Sequence, residues 1–195
     1  MRKLAVLSFQ TLDGVMQAPA MPDEDRSGGF ENGGWGAPFW EDVMAQVIQE
    51  AMAEPYDILL GRKTYEGFAA HWPHESEENP VARILNKARK YVATTSLTTL
   101  AWQNSEMLTG DVPGAVALLK QQKGPLIQVH GSPNLIQTLL AHDLIDEFRL
   151  WTFPVLVGKG KRLFEDVRAP SQLKLIKSGS TPSGVMMHIY TKAPA

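Results

Sequence analysis

The chain has 195 residues, 44% of them hydrophobic and 21% charged, and its 19 basic and 21 acidic residues leave a formal net charge of −2. This is the composition of an ordinary globular domain, expected as one unit over 1–195, and the balanced charge without a basic run argues against a general nucleic-acid binder. Cysteine is absent, which excludes disulfides, thiolate metal sites and cysteine nucleophiles; no segment is apolar for long enough to span a bilayer or act as a signal peptide, so a cytoplasmic protein that needs no membrane and no metal is expected.

Residues 4–9 form a compact apolar run that predicts a buried strand, broken by the turn signal Asp13-Gly14. Residues 18–38 are rich in glycine and proline and predict a long irregular segment, either functional or a surface insertion. Phe39, Val43, Val47 and Ala51 recur at spacing four and predict a helix over 39–52, ended by Pro55. A strand follows over 56–60, then a short helix over 64–70 and a helical segment over 79–87. A third strand is predicted at 90–94. Asp111 and Pro113 open a helix that runs to Gln122. A strand at 126–129 leads to Ser132-Pro133, serine as N-cap and proline in the first turn of a helix to Ala141. Strands at 145–153, 173–177 and 185–192 close the chain, the last two as a hairpin around Thr181-Pro182-Ser183-Gly184. Alternating strands and helices followed by strands predict a three-layer α/β/α domain. Its sheet is mixed but mostly parallel, with an antiparallel C-terminal hairpin.

In such sheets ligands bind beyond the C-terminal strand ends, and three of these ends carry groups suited to phosphate. Gly61-Arg62-Lys63-Thr64 offers a helix start, two cations and a hydroxyl. Thr94-Thr95-Ser96 offers hydroxyls directly after a strand, and His130-Gly131-Ser132-Pro133-Asn134 runs from a strand into another helix start. Each alone reads equally as a turn or a cap; together they point to one phosphate-bearing ligand. Gly158-Lys159-Gly160-Lys161 lacks the Ser/Thr of a Walker loop and the third glycine of a dinucleotide fingerprint, and reads as a turn.

The chain resembles the dihydrofolate reductase-like superfamily, in the branch of the C-terminal reductase domain of the riboflavin-biosynthesis deaminase–reductase. The resemblance is carried by Ser8-Phe9-Gln10-Thr11-Leu12-Asp13-Gly14, by Leu59-Leu60-Gly61-Arg62-Lys63-Thr64-Tyr65-Glu66 and by His130-Gly131-Ser132-Pro133-Asn134-Leu135. It continues through Ile145 to Leu150, Pro154 to Gly160, and Leu163-Phe164. It implies NADPH as cofactor. Arg62 and Lys63 would be charge partners, with Gly61 and Thr64 in the same turn. Thr94, Thr95 and Ser96 would lie near the 2′-phosphate, and the turn of Gly131, Ser132, Pro133, Asn134 and Leu135 would hold the pyrophosphate.

The implied reaction is hydride transfer to a small pterin- or pyrimidine-like heterocycle. A reductase of a ribosylaminopyrimidine, a folate-type or broad-specificity reductase, and a nucleotide-binding protein without activity are the alternatives. A proton donor would come from Asp13, from Asp42 or Glu41 at the start of the first long helix, or from His130, which stands where the riboflavin reductases carry a glutamate. Trp40 is a candidate for stacking on the ring or for the core. The apolar strand 148–153 reads as an exposed sheet edge, and with the resemblance it predicts a homodimer.

Overall fold

The computed structural model describes residues 1–165 and 172–193, so the expected unit 1–195 includes two short stretches, 166–171 and 194–195, that lie outside the described residues. The strands are β1 (Leu4–Thr11), β2 (Tyr56–Gly61), β3 (Lys90–Ala93), β4 (Ser105–Leu108), β5 (Leu126–Val129), β6 (Glu147–Phe153), β7 (Leu173–Ser180) and β8 (Met186–Lys192). The helices are α1 (Trp40–Ala51), α2 (Arg62–His71), α3 (Pro80–Lys87), α4 (Val112–Gln121) and α5 (Pro133–Ala141). The eight strands form one sheet in the order β4-β3-β2-β5-β1-β6-β8-β7. Its first six members are parallel, and β8 and β7 are antiparallel to their neighbours.

Alternation along the strands divides the core in two. Leu7, Ile58, Leu60, Val92, Trp151 and Phe153 point to the face covered by α1, α2 and α3, where Val43, Val47, Tyr65 and Leu85 meet them. Leu4, Val6, Leu59, Ile127, Phe148 and Leu150 point to the other face, covered by Val116 and Leu119 of α4 and Leu135, Ile136 and Leu139 of α5. The expected three-layer arrangement is therefore present.

Three local expectations change. β4 is absent from the sequence reading because it is a short edge strand in which only Leu108 is buried, so no alternation marks it. α2 begins at Arg62, two residues early, which puts both cations inside its first turn. The third change concerns 148–153. β6 is not an edge: it lies between β1 and β8. Its continuous apolar run is that of a strand buried on both faces, Leu150 on one side and Trp151 and Phe153 on the other. The open edges are β4 and β7.

The glycine- and proline-rich segment after β1 is tied down rather than loose. Gln17, 3% exposed, donates to the carbonyls of Asp25 and Ser27 at 2.9 and 3.0 Å. It also accepts from Lys161 N–H at 3.0 Å, and its own carbonyl receives the Trp35 indole N–H at 2.8 Å. Gly160 makes this contact possible: a Cβ there would lie 2.6 Å from Val15 and 2.9 Å from Phe30.

Candidate active site

β2 and β5 are neighbours; β2 runs directly into α2, and β5 reaches α5 through residues 130–132. The two turns touch. Gly61 N–H donates to Gly131 C=O at 3.1 Å. A Cβ on Gly61 would stand 2.2 Å from Ser132 Oγ, and one on Gly131, whose φ is +124°, would stand 2.9 Å from Thr64 Oγ1. Glycine at both positions lets two helix starts converge. Neither start is capped by a side chain; Ser132 holds the N-cap position of α5, but its hydroxyl makes no cap bond. The first N–H groups of α2 and α5 thus carry the donors and partial positive charge that suit an anion.

The side chains around this cradle are unequal. Arg62 is half exposed and pairs with Glu66 one turn on, at 2.9 Å. Lys63 reaches Asp25 at 3.5 Å. Asp25 also receives Lys161 Nζ at 2.6 Å. Burial alone would raise the Asp25 carboxyl, but Lys161 and Ser27 outweigh it and hold it well below the usual carboxylate range. Thr94 is buried, and its hydroxyl accepts from the N–H groups of Ser96 and Leu97 at 3.2 and 3.0 Å, so it shapes its own turn. Thr95 and Ser96 are exposed beside it. Asn134 is exposed at the start of α5, Pro133 brings no N–H, and Leu135 is buried in the core, so Leu135 can offer a ligand only its backbone.

On the other side of β5 lies an aromatic compartment. The β1–β5 register pairs Val6 with Val129, which sets Leu7 beside His130, with Phe9 two residues further on the same face. Phe9 and Trp40 meet edge to face at 5.0 Å, Trp35 and Phe153 at 5.1 Å, and Phe39 and Phe153 at 5.7 Å. Phe9, Phe39 and Trp40 are only partly buried. A shallow depression at Ala37, Pro38, Phe39, Trp40, Glu41 and Asp42 opens beside them. A second depression, at Lys87, Arg89, Asn104, Ser105 and Glu106, lies by the opposite strand ends and touches none of these residues.

The four candidate proton donors are placed differently. Asp13 clamps a turn: the Thr11 hydroxyl and the N–H groups of Gly158 and Val157 donate to it at 2.6, 2.7 and 3.2 Å. The Thr11 bond leads in lowering its pKa to about 2, which makes it a fixed carboxylate and a poor acid. Glu41 is exposed. Asp42 starts the helix row of Gln46 and Glu50, which bond Ser180 C=O and Lys177 of the C-terminal hairpin, and with Glu41 it lines the depression beside Trp40. The α1 residue that takes the first-turn position toward the site is Trp40.

His130 follows β5 with its ring 5.7 Å from Tyr56 and 6.3 Å from Phe68, and its Nε2 is 3.0 Å from Gln128 Oε1. Gln128, fully buried, spends its amide N–H on Ala51 C=O, so its oxygen faces the ring and His130 carries its proton on Nε2. Burial and then the nearby Arg149 guanidinium lower the His130 pKa to about 4, so the imidazole is neutral at pH 7 and leaves Nδ1 as an acceptor. The sequence reading passed over Gln128, although a glutamine in the apolar strand Leu126-Ile127-Gln128-Val129 was a visible signal. Asp25 carries no local signal, and Lys161 reads only as part of a turn, because their pairing across the fold leaves no local pattern.

Residues 2–187 match the family described as the RibD C-terminal domain. The chain belongs to this family. Two Bacillus subtilis relatives, the uncharacterized proteins YyaP and YwjB, are 30% and 29% identical over 136 residues, covering 68% and 70% of this chain and 72% and 73% of their own. A putative riboflavin biosynthesis protein from Shewanella sp. PV-4 superposes with a TM-score of 0.66 at 18% identity, over 98% of this chain and 99% of that one. Dihydrofolate reductase from Enterococcus faecalis, in complex with NADP(H) and RAB-propyl, superposes with a TM-score of 0.62 at 13% identity, over 98% and 97%. The fold is dihydrofolate reductase-like.

Proposed function

We propose that this RibD C-terminal domain protein is an NADPH-dependent reductase of a small pterin- or pyrimidine-like heterocycle, with a ribosylaminopyrimidine of riboflavin formation as one named substrate. The observation that carries the proposal is the meeting of two uncapped helix starts, through Gly61 and Gly131, beside an aromatic compartment. A dinucleotide needs both: N–H groups for its diphosphate and a flat apolar place for its nicotinamide and the ring it reduces. The residues fit it. The backbones of Arg62, Lys63, Thr64, Ser132, Asn134 and Leu135 would hold the diphosphate. Arg62, Lys63, Thr95 and Ser96 would face the 2′-phosphate, once Glu66 and Asp25 yield their cations. Bound NADPH supplies a hydride for a C=N or C=O group. The chain's part is to orient the two rings and keep water from them. His130 is neutral and held by Gln128; the accompanying proton would come from Glu41 or Asp42, which line the depression beside Trp40.

The test is a titration of the protein with NADPH and NADH, read by tryptophan fluorescence, followed by a screen of oxidised pterins and pyrimidines for NADPH oxidation. Micromolar NADPH binding, tighter than NADH, supports the reading. Binding of neither removes it, and binding without turnover of any ring leaves a nucleotide-binding protein.

The proposal includes a homodimer, now through the C-terminal hairpin rather than β6. β7 is an open edge, and Leu175, Ile176 and Met186 are 48%, 55% and 40% exposed there. A monomer by light scattering at micromolar concentration would remove this part.

A further inference from the structure

We infer that Trp102 is a positioning residue for the 2′-phosphate: it bolts the loop from β3 to β4 onto α2, so that the 94–96 turn and the first turn of α2 act as one site that selects NADPH over NADH. The inference deepens the reductase reading and rests on it for the cofactor. Gly61 and Ala93 are paired across β2 and β3, so two segments leave the sheet side by side, one as α2 and the other as the turn of Thr94, Thr95 and Ser96. The sheet fixes only where they start. The Thr94 hydroxyl accepts from Ser96 and Leu97 N–H, but these bonds stay within the turn. Leu97 and Leu100 add apolar contact with the core. A polar tie to α2 comes from Trp102, whose backbone N–H donates to the Tyr65 hydroxyl at 3.0 Å.

Trp102 is buried, and its own position is over-determined. Its indole N–H donates to Asn86 Oδ1 at 2.7 Å, and the Asn86 amide donates onward to Trp72 C=O at 2.9 Å, just beyond the end of α2. Its ring lies 6.3 Å from Tyr65 and 6.5 Å from Phe68, both on α2. Lys90 Nζ stands 4.1 Å from the ring centre. Lys90 is fully buried, donates to the carbonyls of Asn86 and Gln103 at 3.0 and 3.1 Å, and among the described residues has no carboxylate partner. Burial lowers its pKa to about 8, so it keeps its charge at pH 7 and the indole face receives that charge. A buried cation without a counter-ion is a costly way to fill a core, where an apolar chain of the same length would need no desolvation. What it adds here is direction. Lys90 and Asn86 fix the face and the N–H of one indole, and the backbone of that residue fixes the loop against the first turn of α2. Support of this kind sets how closely a charged site meets its ligand.

The experiment is isothermal titration calorimetry with NADPH, NADH and the fragments 2′,5′-ADP and 5′-AMP, which differ only by the 2′-phosphate. Tyr65→Phe, which cuts the tie to α2 and leaves the rest of the bolt, should weaken NADPH and 2′,5′-ADP by about fivefold and change NADH and 5′-AMP by less than about twofold. Trp102→Leu should weaken NADPH by about tenfold with the same selectivity. Trp102→Phe, which keeps a ring over Lys90 and the backbone N–H, should weaken it by about threefold or less. Hydrogen exchange in Tyr65→Phe should quicken together at 62–66 and 94–97 and stay unchanged in β1 and β6. Equal weakening of NADPH and NADH in the folded variants would make Trp102 a stability residue only and overturn the inference. An unchanged NADPH-to-NADH ratio, or unchanged exchange at 94–97, in a folded Tyr65→Phe protein would also overturn it. The two readings fail distinguishably: no NADPH binding by the unaltered protein removes the reductase reading and this inference with it, whereas NADPH binding with a ratio indifferent to Tyr65 and Trp102 removes this inference alone.

Discussion

Four of the five described α-helices follow strands or loops and begin in two different ways; the fifth, α1, also lacks a side-chain cap but continues from the helical turn Ala37–Phe39. α3 and α4 are capped by their own sequence: Asn79 Oδ1 accepts from Val81 and Ala82 N–H at 3.0 and 3.4 Å, and Asp111 accepts from Gly114 N–H at 3.1 Å. α2 and α5 follow Gly61 and Ser132, and no side chain reaches back to their first turns. The capped pair satisfies its donors locally, as helix starts that serve only stability do. The uncapped pair leaves its donors open where two neighbouring strands end. The same backbone chemistry is thus used for stability in one place and held available for an anion in the other.

The comparison breaks most severely at the two glycines. Gly131→Ala meets Thr64 Oγ1 at 2.9 Å and must adopt a φ of +124° that alanine disfavours. Gly61→Ala meets Ser132 Oγ at 2.2 Å and its backbone nitrogen at 3.1 Å. Each should cost about 2–3 kcal/mol in urea denaturation and abolish NADPH binding in the proposed site. Wild-type stability together with intact NADPH affinity would show that the helix starts need not meet.

His130, beside the Gly131 turn, gives the next effect. Its folded pKa of about 4 lies below the ordinary 6.5, so the folded protein keeps it neutral where the unfolded chain protonates it. Stability is complete above pH 6.5 and drains away as pH falls toward 4. The full shift corresponds to about 3 kcal/mol, and partial exposure of the ring reduces this to about 2. Acid titration of the unfolding free energy should show this loss, and His130→Asn should flatten it. An equal slope in the variant would assign the loss to other groups.

The capped pair sharpens the contrast from the other side. Asn79→Ala and Asp111→Ala should each cost about 1 kcal/mol and leave NADPH affinity unchanged. Ser132→Ala, which removes no cap bond, should leave stability within about 0.5 kcal/mol. A cap-sized loss at Ser132 would erase the distinction between the pairs.

Much of this was legible in the sequence, for physical reasons. Asp111 and Asn79 stand before helical periodicity, so their helices were found with nearly their observed limits. The glycine turns could be read because glycine followed by a helix start is a local signal. Pairing between distant residues was not legible. The run 148–153 reads as an edge in the sequence because burial on two faces and exposure at an edge leave the same apolar run; only strand order separates them. Asp13 and Asp42 looked like candidate acids by position. Asp13 is bound by Gly158, from a part of the chain that local spacing does not connect, whereas Asp42 stays at the depression beside Trp40.

The smallest predicted effect concerns Arg62, because it tests how much of the anion site lies in side chains. Arg62 is half exposed and already bound to Glu66 at an i,i+4 spacing. A 2′-phosphate would gain a charge-assisted contact but would first displace that carboxylate. Exposed pairs of this kind are worth about 0.2–1 kcal/mol, so the net gain is modest. Arg62→Gln should therefore weaken NADPH by about two- to fivefold, leave NADH nearly unchanged and reduce the salt dependence of NADPH binding. Glu66→Gln, which frees the guanidinium, should tighten NADPH by a similar factor. Equal weakening of both cofactors would move Arg62 to the diphosphate. No change in either would leave anion binding to the backbone of the two helix starts, which is where the contrast between capped and uncapped helices locates most of it.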